Sequence, residues 1–225
     1  MERVLYVDLD GTIATSPISS VIREAYRRVA EASGLDLREV EAVSWSLHVE
    51  LVKRSSPAAF DWDYIGREVS KALGVSLSLD IEGRFRELCH LSRLLDDAAR
   101  VLAELRDMGW VLVLATNGLL KYQRCVIESL DLDIYFDEVI TPDTRGCLKN
   151  SEGFYSIRGR RPSGISIGDS YTFDVYYPKR FGLRAIHVVR SSHDPYATRI
   201  GIEGAVEPDA TIRSLGELPR LLKRF

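Results

Sequence analysis

The sequence predicts an α/β protein, a doubly wound and mostly parallel sheet whose strand and helix alternation is broken by an all-helical insertion. Three observations carry that prediction. Val4-Leu5-Tyr6-Val7, Val111-Leu112-Val113-Leu114-Ala115 and Ile165-Ser166-Ile167-Gly168 read as strands buried on both faces of a sheet. Each run delivers polar residues where it stops: Asp8-Leu9-Asp10-Gly11-Thr12, then Thr116-Asn117-Gly118, then Asp169-Ser170. Open α/β sheets keep their working groups just past the carboxyl ends of their strands. From about Ser16 to Leu95, by contrast, apolar residues recur at helical spacing.

Taken in order, the short polar stretch Thr12 to Thr15 suits a hinge. Ser16-Pro17 then offers an N-cap and a first-turn proline for a helix bearing Ile18, Val21, Ile22, Ala25, Tyr26 and Val29, closed by Gly34. Asp36 with Glu39 forms a capping-box pattern ahead of Val40, Val43, Leu47 and Leu51. Ser56-Pro57 or Asp61 opens a third helix with Trp62, Ile65, Val69 and Leu73, and a fourth carries Phe85, Leu88, Leu91 or Leu95. Alternation resumes with a helix from Asp97 to Gly109, the second strand, a helix from about Leu119 to Leu130 and a strand over Phe136 to Thr141. Lys149 falls in a loop before a short helical stretch at Phe154 and Tyr155. Asp174 begins a helix ending near Gly182, Ala185 to Val189 is a further strand, and Ala210 to Ile212 an edge strand before a helix capped by Ser214 and Glu217. The expected division is residues 1–15 and 96–225 as an α/β core and 16–95 as a helical unit.

Composition excludes several classes. Hydrophobic content of 45% and charged content of 28% describe an ordinary globular chain, and a net charge of −3 gives no electrostatic case for nucleic acid. The basic run Arg158, Arg160, Arg161 reads as a solvated loop. No stretch approaches the ~18 apolar residues of a membrane helix. Met1-Glu2-Arg3 leads straight into a strand, so a cytoplasmic protein is expected. Cys89, Cys125 and Cys147 are scattered, which indicates neither a disulfide framework nor a zinc site. Oligomeric state cannot be read.

Two carboxylates one residue apart at the end of a buried strand are costly, because desolvating an unpaired carboxylate takes several kcal/mol. Asp8 and Asp10 therefore call for a cation or a reaction, although Asp-Gly also serves simply to start a turn. The other strand ends decide between these. Asp8-Leu9-Asp10-Gly11-Thr12, Thr116-Asn117, Lys149, and Gly168-Asp169-Ser170 with Asp174 resemble the four ordered motifs of the haloacid dehalogenase superfamily of phosphohydrolases. The resemblance spans nearly all of the presumptive core and places a helical cap between the first two motifs, on a Rossmann-like sheet.

That resemblance implies a magnesium-dependent phosphatase acting on a small phosphorylated metabolite. Asp8 would be the nucleophile that becomes phosphorylated, and Asp10 the acid for the leaving oxygen and then the base for water. Asp8, the Asp10 backbone carbonyl, Asp169 and Asp174 would hold magnesium, although Asp174 also suits a helix N-cap and a longer loop before it could set it behind the ion. Thr116, the amides of Asn117 and Gly118, and Lys149 would bind the phosphoryl group. Two departures from the family pattern stand out: Asn150 replaces a usual proline, and four residues rather than three separate Asp169 from Asp174. Trp45, His48, Lys53, Arg54 and Trp62 read first as core or surface residues of the helical unit and second as candidates for substrate contact.

Rival readings are few. Gly164-Ile165-Ser166-Ile167-Gly168 matches the Gly-x-Ser-x-Gly hydrolase elbow, with His187 and His193 downstream, but Ser166 alternates with isoleucines inside the strand. A dehalogenase would share Asp8 without needing an acid at position 10. A phosphomutase uses the same first pair, and a non-catalytic regulatory protein would be expected to have lost Asp8, Asp10 or Asp169.

Overall fold

The computed structural model describes residues 3–156, 162–190 and 194–225. Arg158, Arg160, Arg161 and His193 lie outside the described residues. The main sheet has six strands: β1 (Val4–Val7), β4 (Val111–Ala115), β5 (Glu138–Ile140), β6 (Ile165–Gly168), β7 (Arg184–Val188) and β8 (Ala210–Ile212). Their order is β5-β4-β1-β6-β7-β8, and every neighbouring pair is parallel. The chain moves outward from β1 to β5, then crosses back to β6 and continues the other way. β1 is thus central, and the crevice at its carboxyl end lies where the winding reverses.

Burial of both faces explains the unbroken apolar runs. Leu5 and Val7 point into a large cluster with Val101, Leu105, Val126 and Leu218, whereas Val4 and Tyr6 point into a second with Phe154, Tyr155 and Leu183. The helices behind the first cluster include α5 (Ala98–Asp107), α6 (Leu120–Ser129) and α10 (Leu218–Leu222). Ser166 lies inside β6, 2% exposed and paired with Tyr6 and Ala185, which removes it from any nucleophilic turn.

Between β1 and β4 the chain forms α1 (Ile18–Ser33), α2 (Leu37–Lys53), α3 (Trp62–Ala72) and α4 (Ile81–Leu88). The Asp36 and Glu39 capping box forms as the spacing predicts, and Asp61 caps α3 by accepting from Tyr64 N. Val29, Val40, Ile65 and Val69 are fully buried in a cluster made only of this helical stretch. Each such side chain contributes roughly 1.5–3 kcal/mol by burial. Val21, Ala25, Ile81 and Phe85 face the other way and pack on the large cluster under the sheet.

Ala14 and Thr15, at the end of the stretch expected to be a hinge, belong to a small second sheet. β2 (Ala14–Thr15) pairs antiparallel with β3 (Arg93–Leu94), and Leu95 N donates to Ile13 O at 2.8 Å. Arg190 ties the two crossings further, donating to Gly11 O and Thr12 O at 3.2 Å each and pairing with Asp96. Ser16 also departs from expectation. Pro17, not Ser16, stands at the N-cap of α1, which leaves the Ser16 hydroxyl free for another partner.

Candidate active site

The carboxyl ends of β1, β4 and β6 bring Asp8, Thr116 and Asp169 side by side. Asp8 continues the ladder, its amide donating to Ile167 O at 2.9 Å, so its side chain is set by the sheet. Thr12 bridges the first and last motifs: its hydroxyl accepts from Asp169 N at 3.0 Å and lies 3.0 Å from Asp8 Oδ2. Gly11 makes this approach possible. Its φ of 81° lies in the left-handed region, and a Cβ there would come within 2.5 Å of Asp169 Oδ2.

Lys149, 2% exposed, places Nζ 2.7 Å from both Asp8 Oδ1 and Asp174 Oδ1. Burial lowers its pKa, but Asp174 and Asp8 outweigh that and hold it above the ordinary lysine value. Its loop is anchored from two sides. Lys149 N donates to the Asn117 side-chain oxygen at 2.9 Å, and Asn150 Nδ2 donates to Val52 O at 2.7 Å. The residue that replaces the usual proline thus ties this loop to the end of α2.

Asp174 neither caps nor begins a helix. Ser170 caps a π-helical turn, Tyr171–Tyr176, in which Tyr177 N bonds back five residues to Thr172 O. The wider turn absorbs the extra residue between Asp169 and Asp174, and returns the Asp174 carboxylate to the cluster. There its Oδ1 accepts from Lys149 and its Oδ2 from Ser170 N at 3.1 Å. Oxygens of Asp8, Asp169 and Asp174 all lie within 4.8 Å of one another, an oxygen-only donor set. Burial, then the mutual repulsion of these carboxylates, pushes Asp169 up to about 7. Burial raises Asp174 likewise to about 7, against the pull of Lys149.

Asp10 sits apart from that cluster. Its Oδ2 accepts from Gln123 Nε2 at 2.6 Å and its Oδ1 from Ser16 Oγ at 2.9 Å. Burial raises its pKa above the usual carboxylate value, more than these two hydrogen bonds lower it. Gln123 escaped the sequence reading, although a signal existed: it lies in the buried stripe Tyr122, Gln123, Val126, Ile127 of α6, a polar side chain at a core position. Gly118 is the counterpart, since a Cβ there would overlap the Gln123 amide.

Thr116 is 2% exposed, and its Oγ1 accepts from Gly118 N at 3.0 Å. The helix after it starts at Leu120, with Leu119 as N-cap, so Asn117 contributes its side chain to the Lys149 loop as well as lying beside the strand end. Above these groups is a cavity of about 360 Å³ whose lining includes Phe60, Trp62, Phe85, Phe173 and Tyr196. Of the candidate substrate contacts, Trp62 lines it. Trp45, His48, Lys53 and Arg54 do not, and Lys53 pairs with Glu50 at the surface.

His48 instead braces the wall from behind. Its Nδ1 lies 2.6 Å from Ala59 O, which only accepts, so Nε2 is left to accept from Tyr196 OH at 3.0 Å. Burial among Trp45, Phe60, Trp62 and Tyr196 lowers its pKa to about 4. A histidine kept neutral in the fold costs stability as the unfolded chain takes up a proton. The loss therefore begins below an unfolded pKa of ~6.5 and is complete near 4, up to roughly 3 kcal/mol. Urea titrations at pH 7.5 and 4.5 should show the parent losing stability relative to His48→Gln as the pH falls; the same pH dependence in both would count against it.

Among the described residues no helix is long and apolar enough to cross a membrane. A sequence search of curated proteins gives no match. Among solved structures, a HAD phosphatase from Thermococcus onnurineus is 29% identical, with TM-score 0.72 and coverage of 99% of this chain and 98% of that one. YfnB from Bacillus subtilis in its magnesium-bound form is 18% identical, with TM-score 0.67 and 99% of both chains covered. L-2-haloacid dehalogenase from Xanthobacter autotrophicus is 21% identical, with TM-score 0.65 and the same coverage. The latter two likenesses concern the fold, which hosts both phosphatases and dehalogenases. A family model described as haloacid dehalogenase-like hydrolase matches residues 3–157, most of the chain, and by that match this protein belongs to the haloacid dehalogenase-like hydrolases.

Proposed function

We propose that the protein is a magnesium-dependent phosphatase that hydrolyses a small phosphorylated metabolite through an aspartyl phosphate on Asp8, with residues 16–95 serving as a cap over the core of residues 1–15 and 96–225. The observation that carries this reading is Asp10. A dehalogenase has no leaving oxygen to protonate, yet here a second carboxyl group is positioned by Ser16 and Gln123 and biased by burial toward its protonated form. The phosphatase name of the 29% identical relative supports the same choice.

Asp8, Asp169 and Asp174 suit a hard divalent cation, since they offer only oxygen and, when ionised, would set three negative charges against the single charge of Lys149. Asp8, Asp169 and the Asp10 backbone carbonyl would hold it. Asp174, 1% exposed against 8% for Asp8, would stand behind them. Magnesium would offset the repulsion between a phosphate dianion and Asp8.

In the first step an Asp8 carboxylate oxygen forms a bond to phosphorus as the bond to the ester oxygen breaks, and Asp10 gives that oxygen its proton. Thr116 and Lys149 hold the phosphoryl oxygens. Asp10, now ionised, takes a proton from water as water attacks phosphorus and the Asp8 acyl phosphate bond breaks, releasing phosphate.

Hydrolysis of 4-nitrophenyl phosphate should need a divalent ion, with magnesium restoring activity removed by chelator. Full activity in excess chelator would sink the proposal. Chloride release from a 2-chloroalkanoate without phosphate release would favour dehalogenation instead.

A further inference from the structure

The two ends of the cavity differ in chemistry. Its floor holds the carboxylates, Thr116 and Lys149; its walls and roof are rings, Phe60, Trp62, Phe85, Tyr122, Phe173 and Tyr196. Those rings come from separate parts of the chain and support one another. Phe60 meets Phe173 edge-on at 6.4 Å and Trp62 at 6.2 Å, and Phe173 meets Tyr196 at 4.7 Å. Behind them His48 stacks on Trp62 at 5.3 Å and accepts from Tyr196 OH. Tyr122 donates its hydroxyl to Asp63 Oδ2 at 2.6 Å, so its polar tip is already occupied.

Charge in the cavity is one-sided. Among the described residues that line it, Lys149 is the only cation, and Asp8 and Asp174 already engage it. Asp194 adds a further carboxylate, held by Ser170 Oγ at 3.1 Å, Thr172 N at 2.7 Å and Tyr196 N at 2.8 Å. A second anionic group on a substrate would meet this added negative charge with no further cation among the described lining residues, and a buried unpaired charge is strongly disfavoured. Of the polar side chains that also line it, Ser16 and Gln123 hold Asp10, Asn117 holds the Lys149 loop and Ser170 holds Asp194, so a polyol would find few unengaged partners for its hydroxyls. The volume of about 360 Å³ lies near the small end of the ~300–1,000 Å³ range of ligand sites, which leaves room beyond the phosphate for one or two rings.

Resting on the phosphatase reading above, we infer that the substrate is a monoester with a single phosphate and a flat, uncharged, largely apolar leaving group. Flat faces fit the ring-lined walls, and the absence of a second anion suits the acidic lining.

Primary esters with leaving alcohols of similar acidity separate recognition from leaving-group reactivity. Benzyl phosphate, 2-naphthylmethyl phosphate, glycerol 3-phosphate and fructose 1,6-bisphosphate serve, with phosphate release measured in magnesium. The ring esters should exceed glycerol 3-phosphate in kcat/KM by about tenfold or more, with the bisphosphate poorest. In Trp62→Leu and Phe60→Leu the ratio of kcat/KM for 2-naphthylmethyl phosphate to that for glycerol 3-phosphate should fall roughly tenfold, mainly through KM for the ring ester. The ratio does not depend on how much of each variant is folded. Preference for the polyol or the bisphosphate, or a ratio that neither variant moves, overturns the inference and leaves the phosphatase standing. No phosphate release from these esters or from 4-nitrophenyl phosphate overturns both.

Discussion

Asp10→Asn is expected to accumulate a phosphorylated protein, and Asp8→Asn to form none. The two side chains lie on one loop but face different partners: Asp8 meets Lys149 and Thr12, while Asp10 meets Ser16 and Gln123. Removing the Asp8 carboxylate removes the attacking oxygen, so turnover should vanish. Removing the Asp10 proton leaves the attacking group intact and costs roughly 10²- to 10⁴-fold in rate. An activated leaving group such as 4-nitrophenolate needs little protonation, so phosphorylation of Asp8 should suffer less than attack by water. Acid-quenched Asp10→Asn should therefore gain the mass of one phosphoryl group, and Asp8→Asn should not. If the two variants behave alike, or Asp10→Asn keeps parental activity, the division of labour is wrong.

Lys149→Met should be the most damaging single change to the fold of the site. Methionine keeps much of the apolar volume but leaves Asp8 and Asp174 buried without their cation. Breaking a buried ion pair from one side costs ~3–5 kcal/mol, a large share of the ~5–15 kcal/mol by which a domain is stable. The loss should depend on pH. Asp169 and Asp174 already stand at about 7 rather than 3.8, so the folded protein binds protons that the unfolded chain releases. In the fold they take up protons below about 7, so the linked stability is full below the unfolded value near 4 and is lost as pH rises through 7. Without Lys149 that fall should be steeper and extend to higher pH. Urea unfolding in chelator at pH 5 and pH 8 measures it, and a variant equally stable to the parent at pH 8 would refute it. Added magnesium should stabilise the folded variant if the carboxylates hold it.

The parts of this molecule that could be read from sequence are those in which a local pattern and the tertiary environment agree. β1, β4 and β6 are legible because burial on both faces leaves only apolar residues, and the polar residues that stop them become conspicuous. The caps at Asp36, Asp61 and Ser214 form because a short side chain can satisfy a helix end without help from elsewhere. Ser16 shows the limit: the same chemistry that caps a helix is used instead to hold Asp10, and only the folded distance distinguishes them. Asp174 illustrates a second limit, since a π-helical turn changes which face a residue occupies and leaves no mark in spacing alone. The ring-lined wall could not be assembled from sequence because Phe60, Phe85 and Tyr196 belong to distant segments that meet only in the fold.

The small β2 and β3 pair has a consequence for how such a chain could have been assembled. Ala14 faces Leu94 and Thr15 faces Arg93, so the chain leaves the sheet and returns to it at one place. To the six-stranded sheet, everything from Ser16 to Ser92 is one hairpin connection, whatever its length. Closing a flexible connection grows costlier only with the logarithm of its length, and a preformed pair of strands fixes the ends regardless of what they carry. Helices could be lengthened, exchanged or re-faced beyond that junction without disturbing the register of β1 against β4. The geometry that holds the carboxylates can therefore stay fixed while the roof above them diversifies, a division that lets one reaction be inherited and its choice of substrate be rewritten.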